Sequence, residues 1–87
     1  MPGIVIVVRS FVVFSRRGCH LCEEMLEVLE PLCRGKASLV VIDVDSQPDL
    51  VESYGDSVPV LEADGEFVCR YVLDKDKVAA LLMSPAS

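Results

Sequence analysis

Two of the four cysteines in this 87-residue chain are separated by only two residues. Cys19 and Cys22 follow an apolar run and begin a segment with helical periodicity. A cysteine in the first turn of a helix faces unpaired backbone N–H groups, which stabilise its thiolate. The second cysteine lies about one turn further on, where its sulfur can attack a disulfide formed at the first. The pair therefore predicts thiol–disulfide chemistry, with Cys19 as the attacking thiolate and Cys22 as the resolving thiol.

Charged side chains cluster in the sequence around this pair. Arg16, Arg17 and His20 would place positive charge near the first sulfur, which favours its thiolate. Glu23 and Glu24 suit the helix dipole but oppose ionisation of the thiol. His20 is a candidate general base, and its alternative interpretation is a polar residue on the exposed first turn.

A structural zinc site is the alternative for the cysteines. Cys19, His20 and Cys22 could bind zinc together with Cys33 or Cys69. Such sites normally use two closely spaced ligand pairs, and the second pair is missing here. Cys33 falls near the far end of the predicted helix, about 20 Å from Cys19 by helical rise. We therefore predict no metal site and interpret Cys33 and Cys69 as small buried apolar side chains.

The elements that position the cysteines alternate between strand and helix patterns. A run rich in Val and Ile predicts a strand over 4–14, and a 3.6-residue apolar period predicts a helix over 19–33 that Pro31 should kink or end. The remaining predicted elements are a strand at 39–44, a short helix that Ser46 caps, that begins near Pro48 and that Gly55 ends, and a helix at 74–83. Between the helices, strands at 58–63 and 66–72 are joined by a predicted hairpin turn at Asp64-Gly65. The order β-α-β-α-β-β-α predicts one α/β domain over residues 1–87, with a four-stranded mixed sheet covered by helices.

Two of these strands carry more specific expectations. The run at 39–44 is continuously apolar, which is typical of a strand buried on both faces. In the strand at 66–72, strict alternation would put Phe67, Cys69 and Tyr71 on one face. The sequence leaves open which face of that strand meets a helix.

Charge and length limit the classes of partner. The chain carries 8 basic and 14 acidic residues, a formal net charge of -6, so it has no electrostatic footprint for nucleic acid or anionic membrane. The apolar run is broken at Arg9, well short of the about 20 residues that span a bilayer. A basic start and a small-residue cleavage site are both missing, so we expect a cytoplasmic protein. Its small size and acidic charge favour a monomer.

The arrangement resembles the thioredoxin-like fold and, within it, the glutaredoxins. In detail it is similar to the small glutaredoxin-like proteins that carry Cys-His-Leu-Cys in place of Cys-Pro-Tyr-Cys. The matching segments are Phe14–Glu24, Val41–Asp45, Tyr54-Gly55, Val58–Leu61 and Asp64-Gly65.

This resemblance implies a binding surface beside the cysteines. Pro59 would be the cis-proline that packs against them, and Val58 would offer backbone groups to a bound peptide or to glutathione. Arg16 would contact a glutathione carboxylate, with His20 beside it. Glutaredoxins carry a Gly-Gly turn and an acidic pair that grips glutathione. The corresponding stretch here is Tyr71-Val72-Leu73-Asp74, in which Asp74 matches one acid.

The implied activity is that of a thiol–disulfide oxidoreductase, which transfers electrons in cell redox homeostasis. It would reduce protein disulfides or glutathione mixed disulfides with no tightly bound cofactor. Glutathione would be a possible co-substrate, and a reductase or glutathione would donate the electrons. Because His20 retains a backbone N–H that proline lacks, we expect the pair to be at least as oxidising as in a thioredoxin. The alternatives are a thioredoxin-like adaptor and a glutathione- or iron–sulfur-binding protein, both without dithiol turnover.

Overall fold

The first strand, β1 (Arg9–Ser15), lies in the interior of the sheet. The structure is a computed structural model that describes residues 9–83, so the predicted strand residues 4–8 lie outside the described residues. β1 pairs in parallel with β2 (Ala37–Asp43). The connection between these strands contains α1 (His20–Cys33), because parallel neighbours need a long crossover.

The second half of the chain adds an antiparallel hairpin to the other side of β1. A short 3-10 turn (Val44–Ser46) and α2 (Pro48–Tyr54) lead to β3 (Val60–Ala63). β3 pairs antiparallel with both β1 and β4 (Glu66–Arg70), and α3 (Lys75–Met83) follows. The strand order is β2-β1-β3-β4, which confirms the predicted four-stranded mixed sheet of an α/β fold.

Alternate side chains of β1 face two different layers. Phe11 and Val13 are fully buried in the larger core cluster, which contains side chains of α1 and α3. Val12 and Phe14 contact the smaller cluster, which contains α2. There the rings of Phe14 and Tyr54 stack with their centroids 4.0 Å apart. Helices therefore cover both faces of the sheet, which agrees with the predicted sheet covered by helices.

The first helix does not end at Pro31, contrary to one of the two expected outcomes. It continues to Cys33, because proline removes only one backbone donor and the buried Leu29 and Cys33 hold the last turn against the sheet. Gly35 then turns the chain at a φ of 75°, a conformation that glycine adopts without steric cost. No helix within residues 9–83 is long and apolar enough to cross a membrane.

The expectation that the second strand is buried on both faces is wrong. β2 is an edge strand, and Val40 and Val41 are 51% and 50% exposed. A continuous apolar run is typical of a central parallel strand, but within residues 9–83 this strand pairs only with β1.

The short helix α2 begins at Pro48 as predicted, but its cap differs from the expectation. Gln47 is the N-cap residue and forms no side-chain capping bond. The hydroxyl of Ser46 instead donates to the carbonyl of Asp43 at 2.6 Å. The predicted role of Ser46 as N-cap is therefore wrong, because this hydroxyl is already used in the preceding 3-10 turn.

The predicted hairpin turn at Asp64-Gly65 is confirmed. Both residues have positive φ, 52° and 84°, as a two-residue turn of type I′ requires. The Asp64 carboxylate also accepts from the Ser10 backbone at 3.0 Å and from Arg9 at 2.7 Å. These bonds connect the hairpin to the start of β1.

Strict alternation fails in β4. Leu61 pairs with Cys69 and Glu62 with Phe67, so Val68 is an extra residue without a partner in β3. Val68 and Cys69 are both buried, whereas Phe67 is 58% exposed. The expected common face of Phe67 and Cys69 is therefore wrong, because the bulge shifts the side chains by one position.

Candidate active site

The first cysteine of the pair is the N-cap residue of α1. The Cys19 backbone is extended, and its sulfur accepts from the backbone N–H of Cys22 at 3.1 Å. The two cysteines form a disulfide, with 5.2 Å between their Cα atoms. Cys19 is partly exposed, whereas Cys22 is only 1% exposed. The accessible sulfur therefore belongs to the cysteine at the helix end, where backbone donors stabilise a thiolate.

The loop before β3 contains the proline that the resemblance singled out. The Val58–Pro59 peptide bond is cis, and Pro59 is fully buried. The next residue, Val60, pairs with Phe14 near the end of β1, where the loop that contains the cysteines begins. The sheet register thus brings Val58 and Pro59 to the same end of the sheet as Cys19.

The guanidinium of Arg16 is held by a carboxylate of the same chain. Its Nε and Nη2 atoms donate to both oxygens of Asp45, at distances of 2.8 to 3.2 Å. Its Nη1 atom donates to the carbonyl of Gly55 at 3.3 Å. The hydrogen bonds between Arg16 and Asp45 lower the pKa of Asp45 and raise the pKa of Arg16. The side chain expected to contact a glutathione carboxylate is thus already paired with Asp45.

The imidazole of His20 lies on the exposed first turn of α1. Its side chain is 82% exposed, and its Nε2 atom is 3.3 Å from a carboxylate oxygen of Glu24. The Nδ1 atom is 3.9 Å from an oxygen of Glu23. The ring therefore lies between two carboxylates on the solvent side of the helix.

The predicted glutathione-binding acid caps the last helix. One carboxylate oxygen of Asp74 accepts from the backbone N–H of Lys77 at 3.0 Å. Three residues earlier, Tyr71 has a φ of 66°, which is uncommon for a residue other than glycine. Its backbone N–H donates to the carbonyl of Pro59 at 2.9 Å, and its hydroxyl donates to the backbone carbonyl of Asp56 at 3.2 Å. Tyr71 thus bonds to the loop before β3 through both its own backbone N–H and its own side chain.

Sequence reasoning missed the roles of Asp45 and Tyr71. In the sequence, Asp45 stands out only as the last residue of the segment Val41–Asp45 that matches the glutaredoxin-like proteins. Tyr71 occupies the stretch where glutaredoxins carry glycines, and its positive φ shows that the glycine-like backbone is kept. The only sequence signal for this role of Tyr71 is that it stands where glutaredoxins carry a glycine.

Two grooves flank the cysteine pair. The groove on the β2 side has a volume of about 390 Å³ and is lined by Ser15, Arg16, Arg17, Gly18, Cys19, Glu23, Leu26, Val41 and Asp43. The groove on the α3 side has a volume of about 200 Å³ and is lined by Leu21, Glu24, Met25, Val28, Tyr71, Val72, Leu73 and Lys75. The second groove is mainly apolar, and Val72 at its rim is 71% exposed. Cys19 itself lines the first groove, whereas Leu21, which lies between the two cysteines in sequence, lines the second.

The other two cysteines lie in the core. Cys33 and Cys69 are free thiols that are 2% and 9% exposed. Burial raises the pKa of the Cys33 thiol, which disfavours the reactive thiolate. Within residues 9–83, no three or more His, Cys, Asp or Glu side chains are arranged to hold a metal ion.

The sheet, the helices and the Cys19–Cys22 pair together define a protein of the thioredoxin-like class. A family model described as a glutaredoxin-like domain (DUF836) matches residues 10–83. Because this match covers most of the sequence, the chain belongs to the glutaredoxin-like family. The resemblance inferred from the motifs is thereby confirmed.

Solved structures of similar proteins agree with this assignment. A Nitrosomonas europaea protein solved by NMR is 41% identical with a TM-score of 0.73, over 92% of this chain and 96% of that one. A protein of X. campestris is 26% identical with a TM-score of 0.67, over 83% and 93%. A mutant thioredoxin of Halobacterium salinarum is 33% identical with a TM-score of 0.61, over 91% and 75%. A comparison with curated proteins found no match.

Proposed function

We propose that this protein is a thiol–disulfide oxidoreductase in which Cys19 attacks and Cys22 resolves. The observation that carries the proposal is the contrast between the two sulfurs. The Cys19 sulfur is partly exposed at a helix N-terminus and accepts a backbone hydrogen bond, whereas Cys22 is buried beneath it. An accessible stabilised thiolate with a protected neighbour is what disulfide exchange requires.

The reaction conserves atoms and electrons between the protein and its substrate. The Cys19 thiolate attacks one sulfur of the substrate disulfide, forms a mixed disulfide and expels the other sulfur as a thiolate. The Cys22 thiol loses its proton, and its sulfur attacks Cys19 and expels the second substrate thiolate. The substrate gains two electrons and two protons, one proton from Cys22 and one from the solvent, to which Cys19 released its own, and the protein retains the Cys19–Cys22 disulfide. A thiol reductant, such as a dithiol protein or two glutathione molecules, then restores the dithiol.

The loop before β3 supports binding of an extended substrate. Val58 precedes the first paired residue of β3, and within residues 9–83 its backbone groups form no hydrogen bond to another backbone group. An extended peptide beside Pro59 could therefore pair with Val58 as an added strand. Exposed apolar side chains at Leu21 and Val72 would contact the flanking residues of that peptide.

Thiol trapping with mass spectrometry across a series of glutathione redox buffers tests the proposal. We expect a loss of two mass units confined to Cys19 and Cys22, with a defined midpoint. Cys19→Ser should abolish reduction of a disulfide substrate, whereas Cys22→Ser should accumulate the mixed disulfide on Cys19. The matched control is Cys33→Ser, which changes a thiol outside the site.

Two results would overturn this function. Full activity in Cys19→Ser would refute the assignment of the nucleophile. If all four thiols of the wild type stayed reduced in the most oxidising buffer, the protein would be a thioredoxin-like adaptor instead.

A further inference from the structure

We propose that Asp45 sets the substrate class of the site, because it neutralises the arginine beside Cys19 and thereby disfavours anionic small disulfides. The preferred substrates are then disulfides with neutral or cationic surroundings, and glutathione disulfide is a poor one. This inference rests on the proposed oxidoreductase function. It concerns which disulfides react, whereas that function concerns whether exchange occurs at all.

The Arg16–Asp45 pair occupies the edge of the guanidinium that would otherwise bind a substrate carboxylate. The Nε–Nη2 edge of a guanidinium is one that binds a carboxylate bidentately, and both oxygens of Asp45 occupy it here. The other terminal nitrogen reaches the carbonyl of Gly55. A substrate carboxylate would have to displace Asp45 to obtain the same bonds, so Arg16 contributes little attraction to an anion.

The other charged side chains around Cys19 do not attract an anionic substrate in place of Arg16. In the groove on the β2 side, Arg17 is accompanied by the carboxylates of Glu23 and Asp43. On the exposed side of α1, His20 lies beside Glu23 and Glu24. With a formal net charge of -6 on the whole chain, an anionic disulfide is repelled as it approaches.

The experiment compares two small disulfides of opposite charge with the fully reduced protein. Stopped-flow measurements give the second-order rate constants for glutathione disulfide, which is anionic, and for cystamine, which is cationic. The rate constant for glutathione disulfide is divided by the rate constant for cystamine. This ratio is then divided by the same ratio measured with 2-mercaptoethanol, which removes the intrinsic reactivity of each disulfide. Because both reactions use the same Cys19 thiolate, changes in the ionisation of that thiolate cancel.

The wild type should give a normalised ratio well below one, and Asp45→Asn should raise it about tenfold because the arginine becomes available to carboxylates. The double variant Arg16→Gln/Asp45→Asn should lose this gain. Glu52→Gln removes an exposed charge of α2 that forms no ion pair among the described residues, so it is the matched control for net charge. It should leave the ratio within about twofold of the wild type.

The outcomes separate this inference from the proposed function. If the wild type reacts with neither disulfide, the oxidoreductase function is refuted and the inference with it. If the wild type reacts with cystamine but its normalised ratio is one or more, the inference alone is refuted. This test uses only the wild-type protein, so it does not depend on whether a variant folds. An unchanged ratio in Asp45→Asn, or an equal rise in Glu52→Gln, also refutes the inference alone.

Discussion

His20 places a backbone N–H in the first turn of α1, one residue after Cys19, whose sulfur already accepts from the N–H of Cys22. It is the first residue of α1, directly after the N-cap cysteine. Proline is well tolerated at this position, but it has no N–H to stabilise a thiolate. We therefore expect the residue type at this position to affect the balance between dithiol and disulfide while the helix is retained.

We predict that His20→Pro lowers the reduction potential of the pair by about 30 mV, because the Cys19 thiolate of the reduced form loses a donor. The potential is measured by equilibrating the protein with glutathione redox buffers. His20→Ala is the matched control, since it removes the imidazole and keeps the N–H. Equal potentials in the alanine and proline variants would contradict the role assigned to the backbone donor.

The hairpin of β3 and β4 shows how a local turn is connected to a distant strand. Asp64 provides the turn conformation and also accepts hydrogen bonds from Ser10 and Arg9 at the start of β1. The backbone bond from Ser10 and then the bond from Arg9 lower the pKa of Asp64. This carboxylate is exposed, so its effect on stability depends on both pH and salt.

The lowered pKa of Asp64 predicts the sign of a pH dependence. A carboxyl group with a lower pKa in the folded state stabilises the fold above the unfolded-state value of about 3.9, and this contribution is lost as the pH falls through the folded-state value. We expect Asp64→Asn to show a shallower loss of unfolding free energy below about pH 4 in urea titrations. Asparagine suits the same turn, so the hairpin should persist.

Glu66→Gln is the control for this prediction, because Glu66 lies in the same hairpin and forms no ion pair with another residue of the described range 9–83. A decline in Asp64→Asn as steep as in the wild type would show that the carboxylate does not contribute.

For the molecule as a whole, Cys19 lies in a different environment from Cys33 and Cys69. Cys19 is at the surface in a loop between strand and helix, whereas Cys33 and Cys69 lie in the larger core cluster. Their accessibility therefore depends on different events. Reaction at Cys19 requires only reduction of its disulfide, but reaction at Cys33 requires the core to open.

We predict that iodoacetamide labels Cys19 of the reduced native protein and leaves Cys33 and Cys69 unlabelled until urea unfolds the chain. Burial both excludes the reagent from Cys33 and raises the pKa of its thiol. Mass spectrometry of digested samples measures labelling at each cysteine. Labelling of Cys33 in the native protein at the rate of Cys19 would contradict the core position of Cys33.

Sequence reasoning worked where the pattern is local. The cysteine pair at a strand–helix junction, the Asp64-Gly65 turn and the proline at the start of α2 each depend on a few neighbouring residues. The order of the elements and the resulting mixed sheet also followed from local periodicity. The motif around Cys19 then identified the family, because its residue types and spacing are specific.

Only the tertiary structure decided the features that depend on long-range placement. Val40 and Val41 are exposed because β2 is at the edge of the sheet, which its apolar composition does not reveal. The bulge at Val68 depends on the register between two strands. Arg16 meets Asp45 across 29 positions of sequence, because β1 and β2 are parallel neighbours that end side by side. Local patterns determine which elements form, whereas the pairing of those elements determines which side chains meet at the site.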